Sequence, residues 1–267
     1  MKKIITFALA ALTLICAGCA VPTYEPMNYQ SYDELSTEAV NWGFVRKQNA
    51  EPEVLEKDVR MLEAYDGYYL DEERPKVLYL TFDEGYENGY TAKILDVLQA
   101  SRTPAAFFVT GPYLENQPEL IDRMIREGHI VGNHTINHIN MPSSSADEVK
   151  AELDGLNKMC MEKYGYEMKY IRPPEGSFSE KSLAVSRDLG YKTILWSFAY
   201  KDWDVNSQQG AQYAYDNVTP YLHDGAILLL HAVSSDNAEA LGDIINYAKE
   251  QGYEFRSLDE LSASGQV

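Results

Sequence analysis

Residues 77–85, VLYLTFDEG, decide how the rest of the chain is interpreted. Six residues rich in apolar, β-branched and aromatic side chains run into two adjacent carboxylates, Asp83 and Glu84, and then a glycine. This pattern is typical of a buried strand that ends at a functional rim. Adjacent side chains of a strand point to opposite faces, but a sharp turn at Gly85 could bring both carboxylates into one cleft. Two acids without other polar partners are more simply explained as solvated residues of a loop. Whether they belong to a functional site therefore depends on the motifs in the rest of the chain.

The start of the chain predicts export. The chain has 267 residues, of which 45% are hydrophobic, enough for one sizeable core with appendages. Two lysines followed by the apolar run 4–15 are typical of a secretory signal and too short to span a bilayer as a mature helix. Residues 16–20, CAGCA, resemble a bacterial lipoprotein cleavage box with Cys19 as the lipidated residue; cleavage after Ala20 is the alternative. We expect an exported protein at the outer face of the membrane or in the cell wall, tethered there if Cys19 carries lipid.

Charge and cysteine content exclude several classes of partner and site. The net charge of −18 disfavours nucleic acid and anionic surfaces, and no Lys/Arg cluster offsets it. Cys160 is the one thiol left outside the signal and anchor, so no internal disulfide is expected and Cys160 is interpreted as a small buried hydrophobic residue. No protein partner is inferred.

The chain divides into a signal (1–19), a linker with an ordered extension (20–74), a main domain (75–261) and a tail (262–267). In the extension, residues 41–44, NWGF, are the part expected to dock. In the main domain short apolar strands alternate with helical patterns. The predicted strands are 77–82, 105–109, 130–133, 170–171, 193–196, 226–230 and 255–258, with helices at 91–100, 118–127, 146–163, 179–189, 208–222 and 237–251.

This alternation implies an α/β fold with a mostly parallel sheet and outer helices, either a barrel or a doubly wound sheet. About seven strands in so short a domain favour a distorted, incomplete (β/α) barrel. Catalytic groups of such barrels follow the strand ends on the carboxyl rim. The third strand is followed by HTINH, with His134 and His138 separated by four residues, which would place both rings on one face of a helix. They make half of a divalent-metal site that a carboxylate would complete.

Two later strand ends carry further polar groups. After the fourth strand comes RPPEG, where two prolines supply no amide donor, so the first free N–H is that of Glu175, an oxyanion donor. The alternative is a rigid turn with Arg172 in a surface ion pair. The fifth strand is followed by Asp202 and Trp203, and the sixth runs into His231, which can exchange protons at ambient pH.

The motifs TFDEG, HTINH, RPPEG, DW and LLLH, in this order, resemble those of the NodB-type polysaccharide deacetylases over about residues 75–261. The resemblance implies a metal-dependent enzyme, with zinc as the expected metal, that removes N-acetyl groups from chitin-like or peptidoglycan sugars. NWGF, YLTFDEGYENGYTAKILDVL and LLLHAVSSDNAEAL look like the delta-lactam-biosynthetic branch, which acts on N-acetylmuramic acid of spore cortex peptidoglycan. That branch carries an extension similar to residues 41–74.

The resemblance also implies catalytic roles. Asp83 would be the general base that activates water, and Arg172 would orient it. His231 would protonate the leaving amine and Asp202 would tune that histidine, while Trp203 would form an aromatic wall of the sugar site. These roles suit amide hydrolysis, which needs an activated water, an oxyanion site and a proton for nitrogen.

The same resemblance implies the metal and substrate contacts. His134 and His138 match metal-binding histidines, and Glu84 stands where the family has a metal-binding aspartate, so Glu84, with a side chain one methylene longer, is expected as the third ligand. Pro174 and Glu175 are expected at the substrate. The alternatives are deacetylation of N-acetylglucosamine in peptidoglycan, chitin oligomers or another surface polysaccharide, and a catalytically silent glycan-binding lipoprotein.

Overall fold

The computed structural model describes residues 28–262, so the predicted signal and Cys19 lie outside the described residues. The part before the main domain contains β1 (Val40–Asn41), β2 (Phe44–Lys47), β3 (Ala50–Val54), α1 (Glu56–Ala64) and β4 (Gly67–Tyr68). The main domain continues with β5 (Val77–Glu84), α2 (Thr91–Ser101), β6 (Ala106–Val109), α3 (Gly111–Asn116), α4 (Pro118–Arg126), β7 (Ile130–Asn133), α5 (Ala146–Tyr164), β8 (Tyr170–Ile171), β9 (Ser177–Phe178), α6 (Glu180–Asp188), β10 (Lys192–Ile194), α7 (Ala211–Val218), β11 (Ala226–His231), α8 (Ser235–Glu250) and β12 (Glu254–Phe255).

Seven of these strands form one parallel sheet in the order β11-β5-β6-β7-β8-β10-β4, and β12 adds to the start of β5. The sheet curls into a half-barrel with helices around it. The segment that follows β10 contacts β11, since the Leu229 amide donates to the Phe198 carbonyl at 2.8 Å. The predicted distorted, incomplete (β/α) barrel of about seven parallel strands is confirmed.

The alternation of side chains along β5 defines two cores. Leu78, Leu80 and Phe82 pack under the outer helices, whereas Val77 and Tyr79 pack inside the half-barrel with one or two residues from each neighbouring strand. All eight residues of β5 are buried, and full burial of each large apolar side chain contributes about 1.5–3 kcal/mol. Since β5 runs through both acids, the same alternation directs its last two side chains to opposite sides of the sheet.

The segment before the main domain packs on it through several contacts. β1 pairs antiparallel with β9, and β4 forms the edge of the sheet beside β10. Trp42 is 8% exposed; its indole N–H donates to the Trp196 carbonyl at 2.8 Å and its backbone amide to the Gly176 carbonyl at 2.9 Å. The extension therefore touches the segments that follow β8 and β10.

Two smaller features complete the fold. Cys160 is free and buried in α5, as predicted. A capping box begins α5, because the Ser145 hydroxyl accepts from the Glu148 amide while the Glu148 carboxylate accepts from the Ser145 amide. Within residues 28–262, none of the helices has the length and apolar character needed to cross a membrane.

Candidate active site

A buried ion pair lies at the end of β5. Arg172 follows β8 directly and donates from Nη1 to Oδ1 of Asp83 at 2.8 Å. Its other two nitrogens also donate, Nε to the Ile194 carbonyl at 3.1 Å and Nη2 to the Leu195 carbonyl at 3.3 Å. The guanidinium lies 4.3 Å from the centroid of the Phe108 ring. The alternative of a surface ion pair is wrong, since the Arg172 side chain is 0% exposed.

This ion pair keeps Asp83 ionised. Burial opposes the charge on Asp83, but the Arg172 guanidinium, helped by His134 and His231, outweighs burial and holds the pKa of Asp83 below its usual value. The second oxygen, Oδ2, is not bonded to Arg172 and lies 3.7 Å from Nε2 of His134. Asp83 is therefore a charged, oriented carboxylate with one oxygen near His134.

The two histidines of HTINH meet without a helix. Residues 134–140 are irregular, and Thr135 and His138 have left-handed φ angles of 63° and 53°. The segment is not helical, yet the His134 and His138 rings lie 4.9 Å apart between centroids. Asn133 stabilises this loop, because its Oδ1 accepts from the Thr135 amide at 2.9 Å and its Nδ2 donates to the Leu153 carbonyl at 2.9 Å.

His134 is oriented as a ligand would be. It is buried, and its Nδ1 lies 2.7 Å from the carbonyl oxygen of Arg172, so Nδ1 carries the proton and Nε2 keeps a lone pair. Burial is the main reason why the pKa of His134 falls to about 4, with His138 adding to the effect and Asp83 opposing it. His138 is exposed. A metal-binding histidine usually donates the N–H of its other ring nitrogen to a backbone carbonyl or a carboxylate, as Nδ1 of His134 does here.

Glu84 is not brought to these histidines. It lies on the helix side of β5, is 0% exposed, and its Oε1 accepts from the Thr91 hydroxyl at 3.4 Å. Its Oε2 has no hydrogen-bond partner, and burial, with Glu87 and Asp83 adding, raises the pKa of Glu84 well above its usual value. Residues 28–262 contain no group of three or more His, Cys, Asp or Glu side chains arranged to hold a metal.

The second charged pair lies at the end of β11. His231 pairs in register with Asp83 across β11 and β5, so both side chains emerge on the same side of the sheet. Oδ1 of Asp202 lies 2.7 Å from Nδ1 of His231, and Oδ2 accepts from the backbone amide of His231 at 2.8 Å. Burial lowers the pKa of His231, but the charge and hydrogen bond of Asp202 outweigh it, and the net effect is a raised pKa.

Two further segments border this centre. The turn after Arg172 contains Pro174, which is buried, and Glu175, which is exposed and has a left-handed φ of 58°. Such backbone strain in a residue other than glycine is characteristic of functional sites. Trp203 is 53% exposed, and its ring centroid lies 5.7 Å from that of His231.

Two polar residues at this site escaped the sequence reasoning. Asn237, in the first turn of α8, donates from Nδ2 to Oδ2 of Asp202 at 2.6 Å, and its own Oδ1 accepts from the hydroxyl of Tyr200. Asn237 occurs within LLLHAVSSDNAEAL, but no local pattern marks an amide as the partner of a carboxylate 35 residues earlier. The histidines His129 and His223 have other partners: Nδ1 of His129 accepts from the Ala105 amide at 3.2 Å, and Nε2 of His223 lies 2.8 Å from the Ser197 hydroxyl.

Together these groups can act as a general base and a general acid. Asp83 is an ionised acceptor, His231 is a donor whose protonated form is favoured, and both stand on neighbouring strands facing the same side. Such a pair can deprotonate a nucleophile and protonate a leaving group on one bound substrate. The exposed Trp203 beside His231 offers an apolar wall for a ring-shaped substrate.

Known proteins share this arrangement of sequence and fold. The polysaccharide deacetylase family model matches residues 70–194. The chain is 45% identical over 249 residues to the peptidoglycan-N-acetylmuramic acid deacetylase PdaA of Bacillus subtilis, covering 92% of this chain and 95% of that protein. It is 33% identical over 192 residues to a peptidoglycan-N-acetylglucosamine deacetylase of Bacillus cereus, covering 70% and 88%.

The solved structure of Bacillus subtilis PdaA, a family 4 carbohydrate esterase, matches with a TM-score of 0.82 and 47% identity over 85% of this chain and 98% of that one. The similarity therefore spans the extension as well as the half-barrel. Motifs, fold and sequence similarity all agree, and the chain belongs to the polysaccharide deacetylase family.

Proposed function

We propose that this protein is a hydrolase that removes N-acetyl groups from peptidoglycan sugars, with N-acetylmuramic acid as its target. The observation that carries the proposal is that Asp83, paired with Arg172, and His231, paired with Asp202, lie in register on adjacent strands. The choice of sugar is supported by the 45% identity to a deacetylase of N-acetylmuramic acid over nearly the whole chain. A role in spore cortex maturation is part of this proposal.

In the proposed reaction Asp83 removes a proton from water as the water attacks the acetyl carbonyl. Arg172 keeps the base ionised and prevents its rotation, since the guanidinium is itself tied to two backbone carbonyls. His231 then protonates the departing sugar nitrogen. Asp202 accepts the Nδ1–H of His231, which leaves the Nε2–H of the protonated ring for the substrate.

The substrate contacts follow from the same rim. The backbone N–H of Glu175 is proposed to donate to the oxyanion that forms on the acetyl group. Pro174 and Trp203 border the sugar, and the exposed side chain of Glu175 can turn away from a negatively charged lactyl group. These assignments explain why a strained turn follows directly on Arg172.

A divalent metal, zinc, is proposed to bind His134 and His138. The lone pair on Nε2 of His134 and the nearby second ring fit two nitrogen ligands of zinc. When bound, zinc would supply Lewis-acid polarisation of the acetyl carbonyl. Glu84 can be the third ligand only if its side chain leaves Thr91 and crosses to the other face of β5.

A comparison of zinc affinities tests the ligand set. Because Glu84 lies on the helix side of β5, Glu84→Gln is expected to lower zinc affinity less than about tenfold, whereas His138→Gln lowers it more than about 100-fold. Calorimetric titration of the metal-free full-length variants measures both values without any activity assay. Equal losses in the two variants would show that Glu84 turns to the metal.

The pH dependence of kcat/KM tests the two proton-transfer roles. The acid limb is expected below the usual pKa of an aspartate, because Arg172 stabilises ionised Asp83. The alkaline limb is expected above 6.5, because Asp202 raises the pKa of His231. Asp202→Asn removes that charge and should move the alkaline limb to lower pH while the acid limb stays in place. An alkaline limb unaffected by Asp202→Asn would contradict the role of His231.

Acetate release tests the function itself. Purified full-length protein with zinc should release acetate from peptide-stripped peptidoglycan, and mass analysis of the digested strands should place the lost acetyl groups on muramic acid. Loss from glucosamine residues instead would favour the alternative activity that the Bacillus cereus relative carries in its name. Release from no glycan, with or without zinc, would leave the glycan-binding alternative. The intact base and acid pairs argue against that outcome.

The location is proposed as the outer face of the cell membrane or the cell wall. The named relatives act on peptidoglycan, a cell-wall polymer. Export through the predicted signal and tethering through a lipid on Cys19 would place the half-barrel beside this substrate. Both elements lie outside the described residues.

A further inference from the structure

The carboxylate of Asp202 accepts three hydrogen bonds. Its Oδ1 accepts from Nδ1 of His231 at 2.7 Å, and its Oδ2 accepts from the His231 backbone amide at 2.8 Å and from Nδ2 of Asn237 at 2.6 Å. Two of these three donors belong to the histidine that Asp202 serves. Asn237 supplies the third, and it comes from a different element, α8.

Asn237 is itself held in one orientation. Its side chain is 0% exposed, Nδ2 also donates to the His231 carbonyl at 3.1 Å, and Oδ1 accepts from the Tyr200 hydroxyl. A carboxylate only accepts hydrogen bonds, so the NH2 end must face Asp202, and the Tyr200 hydroxyl on the other end keeps it there. The backbone amide of Asn237 is capped separately by Ser234, at 3.2 Å, so helix capping does not require the Asn237 side chain.

We propose that Asn237, supported by Tyr200, is a positioning residue of the catalytic centre. It holds Asp202 in the rotamer that accepts the Nδ1–H of His231, and thereby directs the Nε2 side of the ring to the substrate. Without the amide, both remaining hydrogen bonds of the Asp202 carboxylate come from His231. The other link from Asp202 to α8 runs through Gln208 and reaches only the Asp202 backbone carbonyl, so it does not hold the side chain. This inference deepens the proposed function and rests on it.

Two variants test the role by kinetics. Asn237→Asp keeps the size of the side chain but replaces the NH2 donor with an oxygen that repels Asp202. It should lower kcat by about 10- to 100-fold, the usual size of effect when a residue that orients an active-site side chain is lost, with KM unchanged. Tyr200→Phe keeps the amide but releases its orientation, and it should lower kcat by a smaller factor in the same way. If Asn237→Asp does not fold, Tyr200→Phe decides by the same readouts.

Tyr79→Phe is the matched control. Like Tyr200, Tyr79 is a buried tyrosine, but its hydroxyl donates to Oδ2 of Asp71 at 2.6 Å, and it lies four residues before Asp83 toward the other end of β5. Its loss should reduce stability without changing kcat. If Tyr79→Phe and Tyr200→Phe lower kcat equally, the effect reflects general destabilisation and the inference fails.

A spectroscopic readout separates this inference from the proposed function, because it needs no substrate. In the full-length protein labelled with ¹⁵N-histidine, the Nδ1–H of His231 should give a far-downfield proton resonance, assigned by its loss in His231→Gln. The resonance should move upfield or vanish in Asn237→Asp and persist in Tyr79→Phe. An unchanged resonance in Asn237→Asp would overturn the inference. Absence of acetate release by the wild-type protein would overturn the proposed function alone.

Discussion

Replacing Asp83 with Asn is expected to lower kcat for acetate release by about 10²- to 10⁴-fold, the usual contribution of a general base. Asn has the same size and can still accept the hydrogen bond from Arg172, but it cannot take up a proton. KM for the glycan should stay unchanged, because Trp203 and the turn at Pro174–Gly176 are not altered. Initial rates of acetate release over a range of glycan concentrations separate the two parameters.

Asp71→Asn provides the control for this result. Asp71 is also a buried carboxylate, and it accepts from the Tyr79 hydroxyl at 2.6 Å and the Ser262 amide at 3.0 Å, away from the catalytic groups. This variant should keep its kcat while losing stability. An Asp83→Asn protein that retained kcat within about tenfold of wild type would remove Asp83 from the role of general base.

Replacing Arg172 with Met is expected to lower the free energy of unfolding by about 3–5 kcal/mol, since it leaves the buried Asp83 charge without its partner. Activity should fall as well, because the base loses both its orientation and the charge that favours its ionised form. Urea denaturation followed by circular dichroism measures the change in stability. The double variant Asp83→Asn/Arg172→Met should recover part of the loss, because no unpaired charge then remains.

Arg123→Met is the control for burial. Arg123 is ion-paired as well, here with two carboxylates, Asp96 at 2.7 Å and Glu127 at 2.6 Å, but its side chain is 21% exposed on the surface of α4. Ion pairs that reach solvent contribute about 0–1 kcal/mol to stability, so the free energy of unfolding of this variant should stay close to that of the wild type. If Arg123→Met and Arg172→Met cost the same, burial would not explain the importance of the Arg172 pair.

Much of the fold and the site could be predicted from local sequence. The apolar runs that end in polar residues predicted the strands, and a parallel sheet brings their carboxyl ends to one rim. Arg172 and Asp83 therefore meet although 89 residues separate them. The motif resemblance then assigned chemistry to residues that this topology had already placed at the rim.

Where the prediction failed, side-chain direction was the reason. In a helix, the separation of four residues in HTINH would place both rings on one face; the structure instead brings them together in an irregular loop with left-handed φ angles at Thr135 and His138. A turn at Gly85 was expected to bring both acids into one cleft. In the structure β5 continues through Glu84 and the turn follows it, so the alternation of a strand still separates the two side chains.

Residues 77–85 show what the sequence and the tertiary structure each determined. The sequence by itself determined that β5 is buried, that it ends in two carboxylates, and that this end lies at the functional rim, because these properties depend on composition and order along the chain. Only the tertiary structure decided that Asp83 faces Arg172 and His134 while Glu84 faces Thr91. It also placed Asn237 against Asp202. The direction of a side chain and its distant partners depend on how strands and helices pack, which no local pattern records.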